Sequence, residues 1–275
     1  MDAMLALIGF GEAGSSFASE GAWHGYASGF DRDLRRAAVM RDMGLRAAAD
    51  PADALAGANA ILSLVTADQS LEAARQAAAN IPKGAFFFDM NSVAPGTKRE
   101  TADLIESAGA SYVDVAVMAP VLPARLAVPL LLSGPHAREG AALLATCGFR
   151  NIRIVAGGVG QASTIKMLRS VFYKGVEALT AECLLACHRA GVLEEVLGSF
   201  DADWAKMADY RLDRMLAHGA RRAAEMAESA KTLDGLGVVP LLTRGTIEWQ
   251  AALGSLSLAP IPATLAAKLE RIDTP

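Results

Sequence analysis

Two parts of different class are predicted for this chain: an α/β doubly wound sheet over residues 1–158, then an all-α domain over residues 159–275. Three observations predict it. Short apolar runs alternate with helical patterns through Val155, the pattern of a parallel sheet with crossover helices. A glycine string, Gly9-Phe10-Gly11-Glu12-Ala13-Gly14, follows the first apolar run at once. After Gly157-Gly158-Val159-Gly160 no strand-like run remains, only long stretches of helical period.

The first element justifies the Rossmann type. Met4-Leu5-Ala6-Leu7-Ile8 is long enough for a buried strand, and residues 15–20 suit a helix. Gly9 permits the tight turn out of the strand. Gly11 lets a pyrophosphate approach the backbone, and Gly14 lets the helix pack close to the strand. The helix start offers unpaired N–H groups and a partial positive charge to phosphates. Gly9, Phe10, Gly11, Glu12, Ala13 and Gly14 are therefore the expected contacts of a dinucleotide, NAD or NADP.

The remaining elements follow in order. Residues 25–30 read as a strand, 34–43 as a helix and 45–49 as a short strand. Asp50 caps a short helix with Pro51 at its first position. Strands are expected at 60–65, 85–89, 112–117, 128–132 and 152–155, with helices at 68–79, 95–108 and 138–147. The second part reads as helices over 161–189, 194–208, 210–233, 240–252 and 263–271. No internal repeat or low-complexity linker interrupts the chain.

Bulk properties exclude several classes. The chain has 275 residues, 52% hydrophobic and 20% charged, which supports a sizeable core rather than disorder. A net charge of −4, with Arg221-Arg222 and Lys98-Arg99 as isolated basic pairs, gives no footprint for nucleic acid. The most hydrophobic long stretch, 115–132, contains Arg125 and prolines 120, 123 and 129, which argues against a membrane span. A first strand at Met4 leaves no room for a signal peptide, and three cysteines suit a reducing compartment. A cytoplasmic location is expected. Cys183, Cys187 and adjoining His188 are too few ligands for a metal site, so none is expected and buried packing is the reading for the thiols.

Candidate site residues lie at strand ends, where ligands of such sheets bind. Asp31, twenty residues after Gly11, can hydrogen-bond a ribose diol and favours NAD; it can equally cap the next helix. Arg32 pulls the other way, since an arginine there can hold a 2′-phosphate or stack on adenine. Val65-Thr66 and Asn91-Ser92 can touch ribose, nicotinamide or substrate, or serve turn chemistry.

In the long helix, Ile165, Leu168, Phe172, Leu179 and Cys183 define an apolar face, and Lys166, Ser170, Tyr173, Lys174 and Glu177 a polar one. That polar stripe is either solvated or functional. Its functional reading has a mechanism: a partly desolvated lysine exchanges a proton with a substrate hydroxyl or carbonyl. Lys174 or Arg169 would then hold a substrate carboxylate. His218, on the next long helix, reads as exposed or structural, with an active-site role as the alternative.

Taken together, these residues resemble the β-hydroxyacid dehydrogenases, the 3-hydroxyisobutyrate, tartronate semialdehyde and 6-phosphogluconate group, along most of the chain. The 89–95 segment, Asp-Met-Asn-Ser-Val-Ala-Pro, resembles the family's D-x-S-T-x-x-P, and 114–119 its substrate-binding D-A-P-V-S-G. Gly160 to Lys166 resembles G-x-G-x-x-x-K, which implies that Lys166 is the catalytic lysine. Departures accompany the match. Met118 and Ala119 replace Ser-Gly, Ala162 replaces glycine, and Ser170 stands where the family has asparagine. The helical part is more similar to a subgroup whose C-terminal domain has no assigned function.

The resemblance implies hydride transfer between nicotinamide and a hydroxyacid or related alcohol. Ser92, Val117, Met118, Ala119, Arg169, Ser170 and Lys174 would bind an anionic small-molecule substrate, and a homodimer or higher oligomer is implied. An imine reductase and a non-catalytic dinucleotide sensor or scaffold are the alternatives; Lys166 counts against the first, and the altered 114–119 segment motivates the second.

Overall fold

The computed structural model describes residues 4–200 and 203–273. The chain divides into two compact units, Met1–Lys166 and Met167–Pro275.

The first unit is built on an eight-stranded sheet of order β3-β2-β1-β4-β5-β6-β7-β8. Its strands are β1 (Leu5–Ile8), β2 (Ala27–Phe30), β3 (Arg46–Ala47), β4 (Ala60–Ser63), β5 (Phe86–Asp89), β6 (Ser111–Val117), β7 (Leu130–Ser133) and β8 (Ile152–Ile154). The helices between them are α1 (Glu12–Ala18), α2 (Arg36–Asp42), α3 (Pro51–Leu55), α4 (Ser70–Ala78), α5 (Pro95–Ser107) and α6 (Ala137–Thr146). Asp50 caps α3 by accepting from the Asp53 N–H at 2.8 Å, the role its sequence position predicts.

The central strands are apolar on both faces because helices cover both. One core gathers Leu5, Leu7, Leu62, Phe88 and Val113; the other gathers Ala6, Ile61, Phe87 and Tyr112. The two lists alternate along each strand, as a period of two requires. One pairing departs from the all-parallel expectation: β7 runs antiparallel to β6. No crossover helix separates them. Instead a connection containing a 3-10 turn at Arg125–Ala127 folds the chain back beside β6. β8 then pairs parallel to β7 after α6.

The helix α7 (Gln161–Ala190) contains the division between the units. The second unit continues with α8 (Leu193–Gly198), α9 (Trp204–Gly235), α10 (Leu241–Ser255) and α11 (Leu265–Asp273). Residues 201 and 202, inside the helix expected over 194–208, lie outside the described residues.

Here α9 and α10 touch through glycine. A Cβ on Gly219 would overlap the Gln250 carbonyl, and one on Gly254 the Ala220 amide. The expected stripe Leu212, Met215, Leu216, Ala223, Met226, Ala230 and Leu233 is buried. Lys268, 1% exposed, pins α11 to α9 by ion pairs to Asp209 (2.6 Å) and Asp213 (2.7 Å).

In this second unit α7 departs from the expected faces at several positions. Leu168, Phe172 and Leu179 are 39%, 68% and 67% exposed, whereas Lys174 and Glu177 are buried. Lys174 and Glu177 go inside because α9 supplies their counter-charges. Lys174 meets Glu225 at 2.6 Å, and Glu177 accepts from Arg222 and from Gln250.

Candidate active site

Each glycine of the first loop has its own physical reason. Gly9 has φ +93°, and a Cβ there would stand 2.6 Å from the Leu64 carbonyl oxygen. A Cβ on Gly14 would stand 2.9 Å from the Gly9 carbonyl oxygen, so α1 packs closely on the strand end. At Gly11 a Cβ would meet no protein atom within 4 Å. Packing does not demand glycine there, and the bare backbone faces open space. No side chain caps the first turn of α1, which leaves its N–H groups for another acceptor. Phe10 points inward and is fully buried.

Beside this loop lies a cavity of about 380 Å³, at the point where the strand order reverses between β1 and β4. Gly9, Gly11, Asp31, Arg32, Leu64, Val65, Thr66 and Gln69 line it. Asp31 uses one carboxylate oxygen to accept the Phe10 N–H at 2.6 Å and the other to accept the Asp33 N–H at 2.8 Å. It therefore ties the end of β2 to the glycine loop as well as lining the cavity. Arg32 donates to the Gln69 carboxamide, linking the loops after β2 and β4. Hydrogen bonds from Thr66 and Gln69 hold the nearby Asp68 carboxyl below its ordinary range. The open glycine, the uncapped helix turn and the cavity together fit the adenosine and pyrophosphate of a dinucleotide.

The chain after β5 carries the second part of the site. Asn91 is buried, and its carboxamide is committed to protein: it accepts the Val65 N–H at 2.7 Å and donates to the Ser63 and Ser70 hydroxyls. The carboxamide fastens the loops after β4 and β5 together. Ser92, next in the chain, is half-buried and accepts a 2.6 Å hydrogen bond from the Lys166 ammonium. The turn before Lys166 is tied to the same loop, because the Ser163 hydroxyl donates to the Val93 carbonyl. Val117 and Met118 are half-buried and Ala119 is exposed. Met118 packs against the cluster of Ala116, Leu131 and Ala162, with Ile165 beside it.

Among the residues of the second unit, Lys174 is tied to α9. Burial lowers the affinity of its amine for a proton while Glu225 opposes that shift, and the 2.6 Å pair commits the ammonium to α9. Arg169 is exposed, with its guanidinium 4.4 Å from the Tyr173 ring centroid. Ser170 and His218 are half-buried.

A polar row beneath the site was not anticipated. Ser63, Asp89 and Ser133 end their strands, Asp114 stands in the middle of β6, and the four are paired by register across adjacent strands, Ser63 with Asp89, Asp89 with Asp114, and Asp114 with Ser133. All four are fully buried, as is Lys98 of α5, one member of the isolated basic pair Lys98-Arg99. Two signals were available. The runs Ala-Ile-Leu-Ser, Phe-Phe-Phe-Asp and Leu-Leu-Leu-Ser each close on a polar residue. Lys98 also shares a helical face with Thr101, Ala102 and Ile105.

Among the described residues no cluster of three or more His, Cys, Asp or Glu could hold a metal, and no helix is long and apolar enough to cross a membrane.

Comparison with known proteins accords with this geometry. Residues 4–142 match the NAD binding domain of 6-phosphogluconate dehydrogenase, and residues 187–253 match a domain of unknown function, DUF1932. The chain is 36% identical to a conserved hypothetical protein from Sinorhizobium meliloti 1021, covering 99% of this chain and 96% of that one, with a TM-score of 0.74. It is 30% identical to a conserved protein of unknown function described as structurally similar to 3-hydroxyacid dehydrogenases, covering 91% of this chain and 96% of that one, with a TM-score of 0.70. The 3-hydroxyisobutyrate dehydrogenase of Mycobacterium tuberculosis, solved with L-serine, shares the fold at 15% identity, with both chains covered completely and a TM-score of 0.74. On the family match over residues 4–142, the chain belongs to the family built on the NAD binding domain of 6-phosphogluconate dehydrogenase, an oxidoreductase fold for a nicotinamide dinucleotide, here followed by a DUF1932 domain.

Proposed function

We propose that this protein is an NAD(P)-dependent dehydrogenase or reductase acting at a CH–OH carbon of a hydroxyacid or related alcohol, with Lys166 as the proton partner. The observation that carries the reading is the 2.6 Å hydrogen bond between the Lys166 ammonium and the Ser92 hydroxyl, on the loop that follows β5. A nicotinamide cofactor, when bound, supplies or takes the hydride. The chain must then move the proton. In reduction Lys166 donates to the developing alkoxide; in oxidation it accepts from the hydroxyl. Ser92 fixes the amine and offers its own hydroxyl to the same substrate oxygen. With Lys174 committed to Glu225, Arg169 is the remaining cation of the pair for a substrate carboxylate.

NAD is favoured over NADP in this reading, because the Asp31 carboxylate lines the cavity and would repel a 2′-phosphate. Titration with NADH and NADPH, followed by nicotinamide fluorescence, checks this; a more than tenfold preference for NADPH sinks it. A second copy of the chain is the proposed partner. The exposed apolar residues Leu168, Phe172 and Leu179 support it.

The test is Lys166→Ala, assayed on a panel of hydroxyacids, ketoacids and imines. Cofactor affinity should stay within about twofold while turnover falls by about 10²–10⁴. Turnover at the parent rate would exclude the lysine mechanism. Cofactor binding without turnover of any panel member by the parent would favour the sensor.

A further inference from the structure

We propose that Lys98 is a positioning residue for Lys166, acting through the two buried carboxylates Asp89 and Asp114 and never touching substrate. The inference rests on the proposed role of Lys166.

Lys98 is fully buried on α5, among apolar neighbours of the same face. Its ammonium donates to the Asp89 carbonyl at 2.5 Å and the Val115 carbonyl at 3.5 Å. It pairs with the Asp89 carboxylate at 3.1 Å and the Asp114 carboxylate at 3.4 Å. A lysine that served only to fill space here would be poorly chosen, because burying an ammonium is costly unless every donor is matched. The four oxygens come from adjacent strands, so the ammonium bridges β5 to β6.

Each carboxylate leads to one end of the Lys166–Ser92 hydrogen bond. Asp89 accepts the Asn91 N–H at 3.0 Å and the Tyr112 hydroxyl at 2.8 Å, which sets the course of the chain into Ser92. Asp114 accepts the Gly160 N–H at 3.0 Å and the Ser163 N–H at 3.2 Å. The Ser133 hydroxyl donates to Asp114 at 2.9 Å and accepts the Ala162 N–H at 3.0 Å. The start of α7 is thus capped from the sheet rather than by its own sequence, and Lys166 stands one turn beyond Ser163. Two carboxylates face one ammonium, so the cluster keeps one surplus negative charge. The amides at the α7 start that donate to Asp114 lie against it, with the sign that offsets it.

The test uses the full chain carrying Lys98→Met together with Asp114→Asn. Parent and variant clusters have the same net charge, one ammonium and two carboxylates against one carboxylate, so no effect comes from a change in net charge; Asp114→Asn alone, with Lys98 kept, separates the lost bridge from the altered cap of α7. Brief acetylation with limiting acetic anhydride, quantified by peptide mass spectrometry against exposed Lys83, reports how firmly the Lys166 amine is held. Labelling of Lys166 relative to Lys83 should rise at least threefold. The cofactor Kd should stay within twofold, and kcat should fall at least tenfold with KM within threefold. A folded variant with unchanged labelling and unchanged kcat overturns the proposal. If the double variant does not fold, Asp114→Asn alone is read by the same two measurements in the same directions. The labelling arm decides even if the parent turns over no substrate, so failure of the positioning role and failure of the dehydrogenase reading are distinguishable.

Discussion

Three glycines in one loop do three different things, and single substitutions separate them. Gly9→Ala places a side chain on a backbone with φ +93° and against the Leu64 carbonyl. It should cost about 2 kcal/mol or more of stability, seen as a lower midpoint in chemical denaturation. Gly11 has φ −75° and open space above it, so Gly11→Ala should fold with near-parental stability. The same variant should bind NADH at least tenfold more weakly by fluorescence titration, because the methyl occupies the space of the phosphates. Equal cofactor affinity in Gly11→Ala and the parent would show that the pyrophosphate does not pass there. These roles are legible in the sequence because strand, turn and helix are adjacent in the chain. Asp31 is only half legible. Its place at the end of β2 follows from spacing, but its hydrogen bond to the Phe10 amide joins residues far apart in the chain.

At the scale of elements, α7 shows where periodicity stops informing. Its helical period is correct over thirty residues, Gln161–Ala190, yet Lys174 and Glu177 turn inward along with Ala178, Ala181 and Leu184. Periodicity sorts residues by face; it does not say which face finds partners. Here α9 supplies Glu225 and Arg222, and α10 supplies Gln250. The two buried pairs should respond unequally to substitution. Glu177→Gln leaves the buried Arg222 without its counter-charge and should cost about 3–5 kcal/mol. Lys174→Met should cost less than about 1.5 kcal/mol, because Glu225 keeps Arg221 at 2.8 Å. Urea denaturation of the two variants gives the comparison; equal losses would mean that the Lys174–Glu225 pair is as uncompensated as the other.

Across the whole molecule, the exposed residues Phe172 and Leu179 are the proposed contact with a second copy. Phe172→Glu with Leu179→Glu should convert an oligomer to a monomer in size-exclusion chromatography with light scattering. A monomeric parent, or an oligomer unchanged by both charges, would remove that proposal. The proposed substrate-binding segment, 114–119, is the least legible feature. Met118 and Ala119 depart from the family's Ser-Gly, and the structure gives Met118 a packing role beside Ala162 rather than a polar one.

The sequence alone determined the α/β-then-α architecture and the glycine loop, because each depends on residues close in the chain. Tertiary structure alone decided that β7 turns antiparallel, that Asn91 and Lys174 are committed to protein partners, and that Lys98 lies beneath the site between Asp89 and Asp114. The physical reason is common to all of them. A polar group's role is set by what neutralises it, and here the partners come from other strands and helices brought together only by folding.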